Sequence, residues 1–195
     1  MYDILIIGSG PGGYVAAIRA AQLGLRVGCI DKSEVGGTCL NVGCIPSKSL
    51  LDSSLKHYHL LNQFEDHGLH VDGLQLDLDK MMSRKQDVIT QLTNGVGALF
   101  KSNKVDFISG IAKIKNRNEV EIIQDSKTEI LETQNIIIAT GSKPIELENI
   151  KFDENIVDSE KALKFDRVPK QIVVIGAGVI GLELSSVWSR LGSNV

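Results

Sequence analysis

Two cysteines with four residues between them, Cys39 and Cys44, stand inside the run Gly36-Gly37-Thr38-Cys39-Leu40-Asn41-Val42-Gly43-Cys44-Ile45-Pro46-Ser47-Lys48. Thiols at such spacing can bridge and part again, holding two electrons as a dithiol and releasing them as a disulfide. A zinc site and a pair of inert thiols are the rival uses. Zinc is commonly held by C-x₂₋₄-C with a second pair of ligands, and no third cysteine stands nearby. His57 and His59 are two apart, which on a helix sends them in different directions. A redox pair is therefore favoured. A regular helix would hold residues five apart at about 140° to one another, so the backbone must distort for the sulfurs to meet. Gly43 and Pro46 suit such a distortion. Lys48 lies one helical turn past Cys44, either as a solvated lysine or as a charge held toward the redox centre. Cys29, inside the apolar stretch 25–30, is expected to be a small buried hydrophobe.

A second set of residues precedes the cysteines. Gly8-Ser9-Gly10-Pro11-Gly12-Gly13 fits G-x-G-x-x-G. Gly8 permits a tight turn, Gly10 lets a pyrophosphate approach the backbone, and Gly13 lets helix and strand pack closely. Phosphates would lie over the helix N-terminus, facing its unpaired N–H groups and the positive end of its dipole. Asp31, ending the next apolar stretch, can accept hydrogen bonds from a ribose diol. The plainer reading is a glycine turn with a solvated aspartate. The pattern recurs at Gly176-Ala177-Gly178-Val179-Ile180-Gly181, with Glu183 just beyond. Two such motifs imply two cofactors, or one cofactor and one co-substrate. The residue that would separate NAD from NADP is expected beyond Val195.

The elements that must position these residues follow from periodicity. Residues 2–7 form a continuous apolar run, as in a parallel strand buried on both faces. Residues 14–23 are alanine-rich and favour helix, Gly24 follows where helices commonly stop, and 25–30 read as a strand. This is a βαβ unit. A helix is expected from near Cys44 through residue 61, a loop over 67–79, and a helix over 78–100 with Met81, Met82, Val88, Ile89 and Leu92 available for its apolar stripe. Strands are expected at 105–108, 111–114, 120–123 and 129–131 in an antiparallel block, then an apolar strand at 135–139 running into Thr140-Gly141-Ser142. Residues 143–170 read as a polar connector. Strand, turn and helix then recur at 171–175, the glycines, and 179–191. A helix carrying Val179, Leu182, Val187, Trp188 and Leu191 needs a sheet to bury it, so the 195 residues are expected to be a piece of a longer protein.

Composition narrows the function class. The chain is 43% hydrophobic with 19 glycines, which suits one or two α/β domains, and its net charge of −3 argues against nucleic acid as a partner. No apolar run reaches the roughly 18–20 residues that span a bilayer. Three cysteines do not make a secreted disulfide framework. A cytosolic chain, or a mature form that has lost a targeting segment, is expected.

The run from Gly36 to Lys48 resembles the redox-active signature of the pyridine nucleotide–disulfide oxidoreductases. Leu40, Ile45 and the Ser47-Lys48 pair are most similar to the branch that oxidises dihydrolipoamide; mercuric reductases share Ser-Lys and are the nearer alternative, and a non-catalytic FAD-binding fragment is the third. The resemblance implies an FAD-binding domain with a Rossmann-like parallel sheet and an antiparallel β-meander over 1–145. A connector and the start of a second Rossmann-like, NAD-binding domain would follow over 146–195. FAD would lie along Gly8, Gly10, Pro11, Gly12, Gly13, Asp31, Lys32, Gly37, Thr38, Lys48, Thr140, Gly141 and Ser142, with its adenine near Ala112. Cys44 would be the sulfur beside the flavin and Cys39 the one that exchanges with substrate. Gly176, Gly178, Val179, Ile180, Gly181 and Glu183 would receive NAD. Many members carry glutamate where Asp31 stands. The family's catalytic histidine sits in a C-terminal dimerisation domain and acts across a homodimer; His57, His59, His67 and His70 do not match it and are expected at the surface. A lipoyl-bearing protein of a 2-oxoacid dehydrogenase complex would be the partner, with neither nucleic acid nor membrane involved.

Overall fold

The computed structural model describes residues 1–195 except Val71 and Ser126. They form two compact units, one of Met1–Asn41 with Thr90–Lys143, the other of Val42–Ile89 with Pro144–Val195.

The first unit is built on β1 (Tyr2–Ile7), α1 (Pro11–Gln22) and β2 (Val27–Asp31). Pro11 supplies a preset φ at the first helical position, so the helix starts before the alanine-rich stretch that announced it. Its sheet also takes β3 (Asp106–Ser109), β4 (Ile111–Asn116), β5 (Glu119–Gln124) and β6 (Lys127–Ile138), in the order β3-β2-β1-β6-β5-β4. β1 is parallel to both β2 and β6, with Ile7 opposite Ile30 on one side and Ile138 on the other. Leu5, Ile30, Val120 and Ile122 form a buried cluster, with Ile7, Ala112, Leu131 and Ile136 packed on it.

Two expectations for this sheet need correction. The strand near 105–108 is not part of an antiparallel block: β3 runs parallel to β2 at the sheet edge, and only β4, β5 and the first half of β6 form the meander. Nor do 129–131 and 135–139 form two strands. They are one strand, β6, which pairs antiparallel to β5 and then parallel to β1. The polar stretch Glu132-Thr133-Gln134 resembles a break in sequence, yet Thr133 is fully buried there. Its N–H donates to Asn118 O, its O accepts from Asn118 Nδ2, and its Oγ1 donates to Asn135 O. The β4–β5 turn thus satisfies the polar groups that would otherwise end the strand.

The second unit is helical. It holds α3 (Cys44–Asn62), the start of α4 (Leu78–Ser102), the short α5 (Ser159–Ala162) and α6 (Val179–Arg190). A 3₁₀ turn at Glu65–His67 precedes the expected loop, and part of the expected α4 stripe behaves otherwise: Met81 and Met82 pack inward, while Leu92 is exposed. The expectation that α6 has only a sheet to bury it is also overturned. Leu184, Val187, Trp188 and Leu191 are buried with Leu50 of α3 and Leu163 of the connector, and the Phe165 and Trp188 rings meet at a tilt of 46° with centroids 5.2 Å apart. Val179, Ile180 and Leu182 remain exposed. Among the described residues the strand expected over 171–175 is reduced to one parallel bridge, Gln171 to Asn194, where Ile172 N donates to Asn194 O and Asn194 N to Lys170 O.

Candidate functional site

The glycine turn of the first unit is held by atoms that leave no room for side chains. Gly8 has φ +104°, and a Cβ there would overlap the carbonyl of Ala139; one on Gly13 would overlap Gly8 O. The approach of Ala139 also brings the adjoining Thr140 to the turn: its Cα would lie 3.1 Å from a Cβ on Gly8. Gly10 ends the turn as the N-cap of α1, with no side chain capping the helix amides. Gly37, at φ +57°, lies so close that a Cβ would come 2.6 Å from Gly10 Cα, and Gly36 N donates to Ser9 O at 3.0 Å. The start of the cysteine-bearing run is thereby seated on the glycine turn, a placement that nothing in the sequence spacing indicated.

Asp31 ends β2 beside this turn. Its Oδ2 accepts from Ser9 N at 2.7 Å and Ser9 Oγ at 2.8 Å, and its Oδ1 from Ser33 N at 3.0 Å. Gly110 N donates to Asp31 O, so the chain leading into Ala112 on β4 leaves from the same end of β2. Lys32, Thr38, Thr140, Gly141 and Ser142 are exposed. A bent glycine turn, uncapped helix amides and a carboxylate at the end of the second strand fit the pyrophosphate and ribose of a dinucleotide. Cys29 lies in the core, its thiol donating to Gly8 O at 3.6 Å. Burial, with the Asp31 charge adding to it, pushes that thiol up to about 12. Cys29 is thus the small buried hydrophobe expected.

The helix carrying the cysteines does break. α2 (Gly37–Val42) bears Cys39, and α3 opens on Cys44 after Gly43, whose φ −137° and ψ −105° are not helical. Ser47 secures the new helix by donating its Oγ to Gly43 O at 2.7 Å. Cys39 is partly exposed and Cys44 exposed.

One turn into α3, Lys48 Nζ meets both carboxylate oxygens of Glu183 on α6, at 2.7 and 2.9 Å. These two candidates were read from different motifs, and no pattern in the sequence joins them. The second glycine turn repeats the first locally: Gly176 has φ +102°, Gly178 is the N-cap of α6, and a Cβ on Gly181 would press on Gly176 O. Val179 and Ile180 stand exposed at its helix start. His57 and His59 are partly exposed, His57 lying 3.1 Å from Arg190 O at the end of α6, and His67 and His70 are exposed. Among the described residues no cluster of His, Cys, Asp and Glu can hold a metal, and no helix is long and apolar enough to cross a membrane.

The family model "Pyridine nucleotide-disulphide oxidoreductase" matches residues 2–195. The chain belongs to that family. Over 99% of its length it is 51% identical to the mitochondrial dihydrolipoyl dehydrogenase of Homo sapiens and 50% identical to that of Bos taurus, and it spans 39% of each of those proteins. Among solved structures it is similar to the HOCl-induced flavoprotein disulfide reductase RclA of Escherichia coli in its Cu(II) complex. There the TM-score is 0.84 at 27% identity, over 98% of this chain and 41% of that one. The α/β architecture is that of the family's flavoprotein disulfide reductases.

Proposed function

We propose that this chain is the flavin-binding and redox-disulfide portion of a dihydrolipoamide dehydrogenase, which oxidises dihydrolipoamide to lipoamide with NAD⁺ as acceptor. The observation that carries this is the cysteine run itself: Cys39 and Cys44 on two helices divided at Gly43. Lys48, one turn on, is ion-paired to the helix of the second glycine turn. Residues 1–145 are taken as the FAD-binding domain and 146–195 as the connector and beginning of the NAD-binding domain. Identity near 50% to dihydrolipoyl dehydrogenases favours this branch over metal-ion or other disulfide reductases of the family.

The residues have distinct tasks in this reading. Gly8, Gly10, Gly12 and Gly13 receive the FAD pyrophosphate, Asp31 its adenosine ribose, and Gly176, Gly178, Gly181 and Glu183 the nicotinamide nucleotide. A thiolate of dihydrolipoamide attacks Cys39 Sγ in the Cys39–Cys44 disulfide; the S–S bond breaks and Cys44 leaves as thiolate. The second substrate thiol then attacks the substrate sulfur of the mixed disulfide, releasing lipoamide and Cys39. The substrate is oxidised by two electrons, which rest on the cysteine pair; one of its protons stays on Cys39 and the other passes to a base. When bound, flavin would supply the two-electron acceptor between the cysteine pair and NAD⁺. Lys48 contributes a positive charge one turn along α3 from the Cys44 thiolate, and Glu183 fixes its direction. A homodimer that docks on a lipoyl-bearing protein of a 2-oxoacid dehydrogenase complex, in bacterial cytoplasm or mitochondrial matrix, completes the assignment.

The visible spectrum of the flavin-loaded protein tests it. Cys39→Ser should keep a long-wavelength thiolate-to-flavin band at rest, because Cys44 is left unbridged, and Cys44→Ser should abolish it. The reverse pattern exchanges the two roles. Faster turnover with oxidised glutathione or Hg²⁺ than with dihydrolipoamide would move the protein to another branch.

A further inference from the structure

Asp31 holds more protein contacts than a ribose acceptor needs. A carboxylate offers about four lone-pair sites, two on each oxygen. On Oδ2 both are taken by one residue, through Ser9 N at 2.7 Å and Ser9 Oγ at 2.8 Å. Ser33 N, at 3.0 Å, takes one site on Oδ1, leaving a single site on that oxygen. Ser9 cannot readily give way. It is fully buried, its carbonyl is engaged by Gly36 N, and its hydroxyl would lose its acceptor on turning. Asp31 itself is partly exposed, and of its two oxygens Oδ1 carries the fewer protein hydrogen bonds, one against two on Oδ2.

A vicinal diol received by both oxygens of a carboxylate needs a vacant site on each. We propose that Asp31 receives only one of the two adenosine ribose hydroxyls of FAD, through Oδ1, and that Ser9 determines this by occupying Oδ2. This rests on the flavin-dinucleotide reading of the glycine turn. It makes Ser9, inside the motif but outside its glycine slots, a specificity-determining residue for the ribose. The shorter aspartate has its part in this: drawn back onto the turn, it is a strut of the turn as well as a ligand.

The test is a titration of the flavin-stripped protein, followed by flavin fluorescence, with FAD and with its analogues lacking the 2′- or the 3′-hydroxyl of the adenosine ribose. One analogue should bind within about twofold of FAD and the other about tenfold or more weakly, the usual effect of one hydrogen bond to a charged group. In Ser9→Ala, where the hydroxyl no longer fills Oδ2, both analogues should bind more weakly than FAD. Equal weakening of both analogues in the unmodified protein, or of neither, overturns the proposal, and this arm decides even where Ser9→Ala fails to fold. Failure of FAD itself to bind overturns the dinucleotide reading instead, an outcome distinct from either pattern of analogue binding.

Discussion

The two glycine turns are nearly the same locally and quite different in their surroundings. Gly8 and Gly176 have φ +104° and +102°. Gly10 and Gly178 cap their helices at φ −69° and −71°, and each helix is 12 residues long. Three residues before the first glycine, however, Leu5 is fully buried while Val173 is 81% exposed. β1 lies between β2 and β6, whereas among the described residues the stretch before Gly176 pairs through the bridge from Gln171 to Asn194 alone. A turn of this kind is made by its own residues, and the sheet beneath it by strands far away in sequence. The second unit instead gains its core mainly from helices, with Trp188 its largest fully buried side chain.

The largest expected effect sets these matched positions against each other. Leu5→Ala should cost about 2–5 kcal/mol, as for other buried leucines, while Val173→Ala should change stability by less than about 0.5 kcal/mol. Urea denaturation of the two variants measures both. A Val173→Ala cost comparable to that of Leu5→Ala would mean that residues 171–175 have sheet partners in solution.

The next effect concerns the close approach inside each turn. Gly13→Ala drives a methyl into Gly8 O, whose neighbours are fixed by the sheet, and Gly181→Ala drives one against Gly176 O, whose neighbours are not. We expect about 3 kcal/mol for the first and about 1 kcal/mol for the second. Loss of FAD should accompany the first. Equal midpoint shifts would show that the second turn is as firmly held as the first.

A pH effect sharpens the contrast further, because the closed sheet holds an ionisable group away from water. The Cys29 thiol is pushed from its ordinary 9.0 to about 12, first by burial and then by Asp31. The unfolded chain therefore loses this proton earlier than the folded one. The associated stability is fully present below pH 9 and is lost as pH rises toward 12, with a slope of about 1.4 kcal/mol per pH unit. Cys29→Val should flatten that part of the stability curve relative to the unmodified protein. An unchanged slope would mean that water reaches the thiol.

These contrasts show what the sequence could and could not disclose. The βαβ unit was legible because its signals are local: an unbroken apolar run, three glycines and an alanine-rich helix. The break between the cysteines was legible from Gly43 for the same reason. β6 was misread because Thr133 is satisfied by Asn118, a partner that periodicity along the strand cannot reveal. The burial of Val187 and Trp188 was missed because it depends on Leu50 and Leu163, neither of which marks itself as their neighbour. Site residues were legible one motif at a time. Their couplings, Ser9 with Asp31 and Lys48 with Glu183, arise only in the fold.

The smallest effect on stability belongs to that last pair. Lys48 and Glu183 approach to 2.7 Å, but their side chains are 58% and 22% exposed. Water screens much of their attraction, and ordering two long side chains opposes the rest, so such pairs contribute only about 0.2–1 kcal/mol. Glu183→Gln should shift the unfolding midpoint by no more than this, and 1 M salt, which shortens the screening length to about 3 Å, should remove most of the difference. Its effect on chemistry should be larger, because the carboxylate sets the direction of the only charge placed one turn from Cys44 along α3. The flavin-loaded variant should therefore show a weaker or displaced thiolate-to-flavin band at nearly unchanged stability. A change of several kcal/mol with an unaltered band would make the pair a structural clamp between α3 and α6.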